Sequence, residues 1–145
     1  MQEVEARITI GAEPDAVFEA IRNVESFPRY MPDVRSVKLI GRDGDRTRTR
    51  WEAVVDGAEF VWTEWERFRR DRREMEFELE EGDMDRFEGA WRVFETDGGS
   101  EVVLTVIFDV GVPALEETMG ELLADKIRTN SSRMLEGLKN MLESA

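Results

Sequence analysis

The last third of the chain places the strongest constraint on the fold. Over residues 112–142, apolar side chains recur at steps of three and four, the spacing that puts them on one face of a helix. Asn130 interrupts this apolar stripe. The sequence therefore predicts one long helix that must pack its stripe against the rest of the chain. The stripe consists of Leu115, Met119, Leu122, Leu123, Ile127, Met134, Leu138, Met141 and Leu142.

The chain upstream of this helix has the pattern of a β-sheet. Residues 4–10 alternate apolar and polar, and Pro14 opens a short helix predicted over residues 14–22. Connections short enough for hairpins predict an antiparallel α+β domain, with about seven strands curved around the long helix. Such a sheet encloses an apolar cavity in which small molecules can bind. The six later strands are predicted at residues 34–40, 47–55, 58–68, 73–80, 86–94 and 101–110.

Composition excludes several classes of function. The 145 residues form one domain without histidine or cysteine, which excludes a serine-histidine triad, an imidazole zinc site and disulfides. The net charge of −13 argues against nucleic acid and anionic membrane surfaces as partners. No apolar run approaches the roughly 20 residues of a membrane span, and residues 1–10 lack the pattern of a signal peptide. We therefore expect a cytoplasmic protein that is not an integral membrane protein.

The loop at residues 24–32 combines two prolines with a large apolar area. The prolines prevent a regular long helix, while Phe27, Tyr30 and Met31 need a surface to cover. Two interpretations remain open: these side chains close one end of the core, or they line the mouth of a pocket.

The strand at residues 58–68 has two possible registers. We expect Arg67 to face inward, because the opposite register buries two carboxylates at a cost of several kcal/mol unless they are paired or neutralised. In the expected register, Arg48 and Arg50 of the preceding strand could pair with the acids on the outer face. The two candidate faces are Val61, Thr63, Trp65 and Arg67, and Phe60, Trp62, Glu64, Glu66 and Phe68.

Three segments carry a family resemblance that extends over essentially the whole chain. Residues 24–34 (VESFPRYMPDV), residues 81–91 (EGDMDRFEGAW) and the helical residues 130–139 resemble the START-like, or helix-grip, superfamily. The similarity is greatest to bacterial polyketide aromatase/cyclases and coenzyme-Q-binding proteins. It implies a cavity for a hydrophobic ligand, such as a polyketide, a quinone or a lipid, and it implies no metal or organic cofactor.

The resemblance also implies site residues. Arg67 best matches the arginine of the cyclases, but the tyrosine of characterised cyclases falls on Val34 here. Without histidine, proton transfer would fall to a carboxylate, Tyr30 or water. We therefore take Arg67 and Tyr30 as candidate catalytic residues. The candidate ligand contacts are Phe27, Met31, Trp65, Phe77, Phe87, Trp91, Phe108, Asn130 and Met134.

Three functions follow as hypotheses. The first is binding of a hydrophobic small molecule, which the sequence favours over chemistry. The second is an aromatase/cyclase that promotes aldol closure and dehydration of a poly-β-keto chain with Arg67. The third is a protein-interaction domain that uses residues 27–31.

Overall fold

A computed structural model describes residues 1–55, 57–111 and 113–144, with residues 113–118 described by their backbone. The predicted succession of strands and helices is confirmed, although Val112, the predicted start of the long helix, lies outside the described residues. The elements are β1 (Gln2–Ile10), α1 (Pro14–Arg22), a 3-10 helix (Val24–Arg29), β2 (Val34–Asp43), β3 (Arg46–Val55), β4 (Ala58–Arg69), a 3-10 turn (Arg70–Arg72), β5 (Glu74–Glu81), β6 (Arg86–Thr96), β7 (Gly99–Asp109) and α2 (Pro113–Glu143).

The described strands form one antiparallel sheet in the order β1-β7-β6-β5-β4-β3-β2. Each strand from β2 to β6 pairs with the next strand in sequence, as hairpin connections predict, and β1 lies at one edge of the sheet, paired with β7. The alternation in β5 is reproduced: Met75 and Phe77 are buried, while the glutamates that alternate with them are more exposed, on the outer face. Helix α2 packs closely on β1 and β7. The sheet therefore has one wet face and one face turned toward the helix.

The buried stripe of α2 differs from the predicted one near the helix N-terminus. Met119 and Leu122 are 46% and 56% exposed, whereas Leu135 and Leu138 are almost completely buried. The side chain of Leu115 lies outside the described part of the chain. An α-helix has 3.6 residues per turn, so apolar residues spaced by three and four drift gradually around the helix axis. Not every residue of such a stripe therefore stays on the packed side.

The proline-containing loop closes one end of the core. Phe27 and Met31 are 0% and 1% exposed, and Phe27 packs against Trp51 with ring centroids 5.8 Å apart. A Cβ atom on Gly137 would come within 2.4 Å of the Tyr30 carbonyl oxygen, so the glycine allows the loop to lie directly on α2. Of the two interpretations of this loop, packing into the core is the one that the structure shows.

The helices of the described segments include none that is long and apolar enough to cross a membrane.

Candidate ligand-binding cavity

An apolar cavity lies between the inner face of the sheet and α2. The volume of this cavity, counted as the space that the centre of a water molecule can occupy, is about 130 Å³. One water needs roughly 10–15 Å³ by the same kind of measure, so the cavity has room for a small ring system. The cavity reaches the surface where the exposed residues Val61, Gly82 and Asp83 contribute to its lining.

Aromatic rings from neighbouring strands form one wall of this cavity. Trp51 of β3 and Trp62 of β4 are cross-strand partners and stack with ring centroids 5.5 Å apart. Phe87 of β6 meets Trp62 edge-on at 5.9 Å and lies 5.8 Å from Phe77 of β5. Four strands thus supply a continuous aromatic surface against which another ring can pack. The aromatic lining residues are Trp51, Phe60, Trp62, Phe77, Phe87 and Trp91.

Helix α2 supplies the opposite wall. Leu123, Ile127 and Met134 give it an apolar surface, with Asn130 and the buried Ser131 between them. The Asn130 side-chain amide donates a hydrogen bond to Asp33 Oδ2 at 3.3 Å, so a protein side chain satisfies it. The interruption in the helical stripe therefore lies at the cavity, and its amide is hydrogen-bonded to the loop before β2.

The register of β4 is opposite to the one expected from the sequence. Glu64 and Glu66 are 3% and 0% exposed and face inward, whereas Arg67 lies on the outer face. The predicted inward orientation of Arg67 is therefore wrong. The predicted pairs between these acids and Arg48 and Arg50 are wrong for the same reason, and Arg48 instead pairs with Glu80 of β5.

Trp65 is also on the outer face, where the Arg46 guanidinium lies 4.5 Å from the centre of its ring. Its predicted contact with a ligand in the cavity is therefore not supported by its position. Arg67 Nε lies 3.6 Å from Asp45 Oδ2, at the surface. Both side chains border a polar groove on the outside of the sheet instead of the apolar cavity.

The two inward carboxyls are accommodated by hydrogen bonds. Glu66 Oε1 accepts from the Thr47 hydroxyl at 2.8 Å, and Oε2 accepts from the Thr49 hydroxyl. The Trp51 indole N–H, 2.9 Å from Thr49 Oγ1, also reaches Glu66 Oε2 at 3.4 Å. Polar groups of β3 thus hold Glu66 in the acceptor role expected of a carboxylate.

Glu64 is the member of the pair that lines the cavity. Its Oε1 accepts a hydrogen bond from the Trp62 indole N–H at 2.8 Å. Burial raises the pKa of Glu64 well above its usual value, and the charge of Glu66 and a hydrogen bond with Glu66 raise it further, whereas the Trp62 hydrogen bond lowers it. Burial therefore favours the neutral form of Glu64, and a neutral carboxyl is less costly to bury than a carboxylate.

Several predicted ligand contacts come together in the cavity. Phe77, Phe87, Trp91, Asn130 and Met134 line it, drawn from β5, β6 and α2. Their convergence follows from the alternation in the strands and from the helical spacing of the two α2 residues.

Other predicted contacts lie elsewhere. Phe27 and Met31 belong to the main core, and Phe108 belongs to a second cluster with Val4, so none of the three is part of the cavity lining. Tyr30 is also absent from the lining, and burial raises its pKa to about 12. Its hydroxyl is buried without a hydrogen-bond partner in the described segments, which does not suit it to transfer protons to a ligand.

Sequence reasoning missed Trp51, Trp62 and Glu64. The signal was present in the alternation of Phe60 and Trp62, which mark an inward face that continues to Glu64 and Glu66. The threonines of β3 that satisfy Glu66 could be recognised only after the cross-strand register was known. Within the described part of the chain, no group of three or more acidic side chains is arranged to hold a metal ion.

A family model described as polyketide cyclase/dehydrase and lipid transport matches residues 10–135. The chain belongs to this family. This assignment confirms the resemblance to START-like proteins that the loop and helix segments indicated. No curated protein sequence matches the chain significantly.

Several solved structures share the fold over nearly the whole chain. A Thermus thermophilus protein is 31% identical, with a TM-score of 0.91, and the match covers 99% of this chain and 98% of that one. The Zhui aromatase/cyclase of a Streptomyces species is 21% identical, with a TM-score of 0.87 and coverage of 98% and 93%. A START superfamily protein of Mycobacterium smegmatis is 17% identical, with a TM-score of 0.72 and coverage of 98% and 97%. The last two show similarity of fold.

Proposed function

We propose that this protein binds a hydrophobic, ring-containing small molecule in the cavity between the sheet and α2. The observation that carries the proposal is the wall formed by Trp51, Trp62, Phe77 and Phe87 opposite Met134. Burying an apolar ligand against this wall is favourable by about 25 cal/mol per Å² of apolar surface removed from water. The family description, which combines polyketide cyclases with lipid transport, agrees with this class of ligand.

The geometry supports binding more than an aromatase/cyclase reaction based on Arg67. That mechanism requires the guanidinium in the cavity, but Arg67 is on the other side of the sheet. Tyr30, the second candidate, is not part of the cavity lining. The aromatase/cyclase hypothesis therefore loses the inward-facing Arg67 on which it was based.

The geometry also gives little support to an interaction domain based on residues 27–31. The apolar side chains that such a domain would present, Phe27 and Met31, are buried in the core. A protein partner could not reach them without opening the loop from α2.

The experiment is native mass spectrometry of the protein purified from its host, combined with two matched variants. Ala53→Leu adds volume inside the cavity, whereas Ala58→Leu adds the same volume at an exposed position of β4. We expect a co-purified apolar compound in the wild type and in Ala58→Leu, and a reduced bound fraction in Ala53→Leu. Equal occupancy in both variants would place the ligand outside the cavity and contradict the proposal.

A further inference from the structure

The cavity contains one polar feature that an apolar container does not need, namely the buried carboxyl of Glu64. A glutamate at this position carries a desolvation cost that a methionine or leucine would avoid. The surrounding strands nevertheless provide for it, with Trp62 donating to Glu64 and β3 hydroxyls donating to Glu66 behind it.

The arrangement leaves Glu64 able to accept a further hydrogen bond. A carboxyl has about four lone-pair positions on its two oxygens, and the Trp62 N–H uses one of them at Oε1. A proton on Glu64 is engaged in a hydrogen bond with Glu66, which raises the pKa of Glu64. Because Glu64 lines the cavity, the lone pairs of its carboxyl that Trp62 does not use are available to a ligand as acceptors.

We infer that Glu64 is a specificity-determining residue that accepts a hydrogen bond from a hydroxyl group on a neutral ring ligand, such as a phenol or an enol. This inference rests on the proposed function, because it names the class of ligand taken by the same cavity. The ring of the ligand lies against Trp62 and Phe87, and its hydroxyl donates to the carboxyl of Glu64. The other charged side chains that line the cavity are Asp83, at the exposed rim, and Lys126, on α2.

This arrangement discriminates between ligands of nearly equal shape. A hydroxyl supplies the donor, whereas a methoxy group in its place has an oxygen but no proton to donate. A ligand without the donor leaves the acceptor of Glu64 unused and brings an ether oxygen against it. One net hydrogen bond of this kind changes affinity by about tenfold.

The test compares naphthalene, 2-naphthol and 2-methoxynaphthalene by isothermal titration calorimetry at neutral pH. We expect the wild type to bind 2-naphthol about tenfold more tightly than 2-methoxynaphthalene. In Glu64→Met, which is similar in length but lacks the acceptor, we expect the two affinities to agree within about twofold, while naphthalene still binds. Glu64→Gln retains a carbonyl acceptor and should retain the preference for 2-naphthol.

The outcomes separate the inference from the proposed function. Failure of all three ring compounds to bind the wild type would overturn both. Binding of all three with equal affinity, or an unchanged preference in Glu64→Met, would overturn the inference while leaving the proposed function in place. A crystal structure of the wild type with 2-naphthol provides a second test that needs no variant. Its hydroxyl oxygen should lie within hydrogen-bond distance of a Glu64 oxygen, and any other position would contradict the inference.

Discussion

Trp51 and Trp62 stack across β3 and β4, with ring centroids 5.5 Å apart and ring planes inclined by 13°. Each indole N–H points toward a carboxyl of β4: Trp51 toward Glu66 and Trp62 toward Glu64. The same pair of residues therefore forms part of the aromatic wall of the cavity and donates hydrogen bonds to the two buried acids. The ligand-binding surface and the buried polar network therefore both depend on the Trp51–Trp62 pair.

The raised pKa of Glu64 predicts a characteristic dependence of stability on pH. Because the folded state holds this proton more tightly than the unfolded state, its contribution is complete below the ordinary carboxyl pKa and is lost as pH rises toward the folded pKa. Wild-type stability should therefore fall relative to Glu64→Gln as pH increases above about 4.5, by at most about 1.4 kcal/mol per pH unit.

Urea unfolding of both proteins, followed by far-UV circular dichroism between about pH 5 and pH 9, measures this difference. Exposed acids such as Glu76 and Glu80, whose pKa values are lowered by hydrogen bonds from arginines, are common to both proteins. The titration of these exposed acids contributes equally to both stability curves, so it does not affect the difference between them. Parallel stability curves for the two proteins would show that Glu64 is not protonated by burial.

Trp62→Phe tests the hydrogen bond to Glu64 while retaining an aromatic ring. Removal of the indole N–H leaves one acceptor of a buried carboxyl without its donor and reduces the stacking area on Trp51. We expect a loss of about 1–3 kcal/mol in the free energy of unfolding.

The matched control is Trp65→Phe, three residues away on the outer face of the same strand. Its ring keeps an aromatic surface for the Arg46 guanidinium, which lies 4.5 Å from the ring centre. This variant should lose less than about 1 kcal/mol. Equal losses at the two positions would contradict the assignment of Trp62 to the buried network.

Arg67→Ala should leave ligand binding unchanged. The Arg67 side chain is 41% exposed, and its ion pair with Asp45 spans 3.6 Å at the surface, where such pairs contribute about 0–1 kcal/mol. The dissociation constant for naphthalene should agree with that of the wild type within about twofold, which is less than 0.5 kcal/mol. A large loss of affinity would instead restore Arg67 to the binding site and contradict the register of β4.

Gly137→Ala should destabilise the contact between α2 and the proline-containing loop. The new Cβ would lie 2.4 Å from the Tyr30 carbonyl oxygen, so the loop or the helix must move. Although alanine favours helix by about 1 kcal/mol over glycine, overpacking costs typically 1–3 kcal/mol, and we expect a net loss of stability. Asn140→Ala, on an exposed part of the same helix, should be neutral or slightly stabilising in thermal unfolding. A Gly137→Ala protein as stable as this control would show that the loop is not held tightly against the helix.

Much of the fold follows from the sequence because its signals are local. The alternation of Met75 and Phe77 with glutamates, and the helical spacing around Leu138, depend on residues close together in the chain. The cavity contacts Phe87 and Met134 follow from the same periodicities. Local periodicity therefore identifies which residues share a face.

The orientation of β4 could not be predicted from the sequence, because both faces of this strand mix aromatic and charged residues. Two buried carboxylates are costly unless they are paired or neutralised, and no local pattern shows that the Trp62 N–H and the threonines of β3 provide hydrogen bonds for Glu64 and Glu66. Thr47 and Thr49, which donate hydrogen bonds to Glu66, come into contact with it only through the pairing of β3 with β4. Such a network is a property of the tertiary structure and has no local signature.

The most direct test of the cavity as the binding site is a crystal structure of the wild type with 2-bromonaphthalene, located by the anomalous scattering of bromine. The account predicts one ordered ring system between Trp62 and Phe87 on the sheet and Met134 on α2. An empty cavity at saturating ligand, or a bromine position in the outer groove beside Arg67, would contradict it.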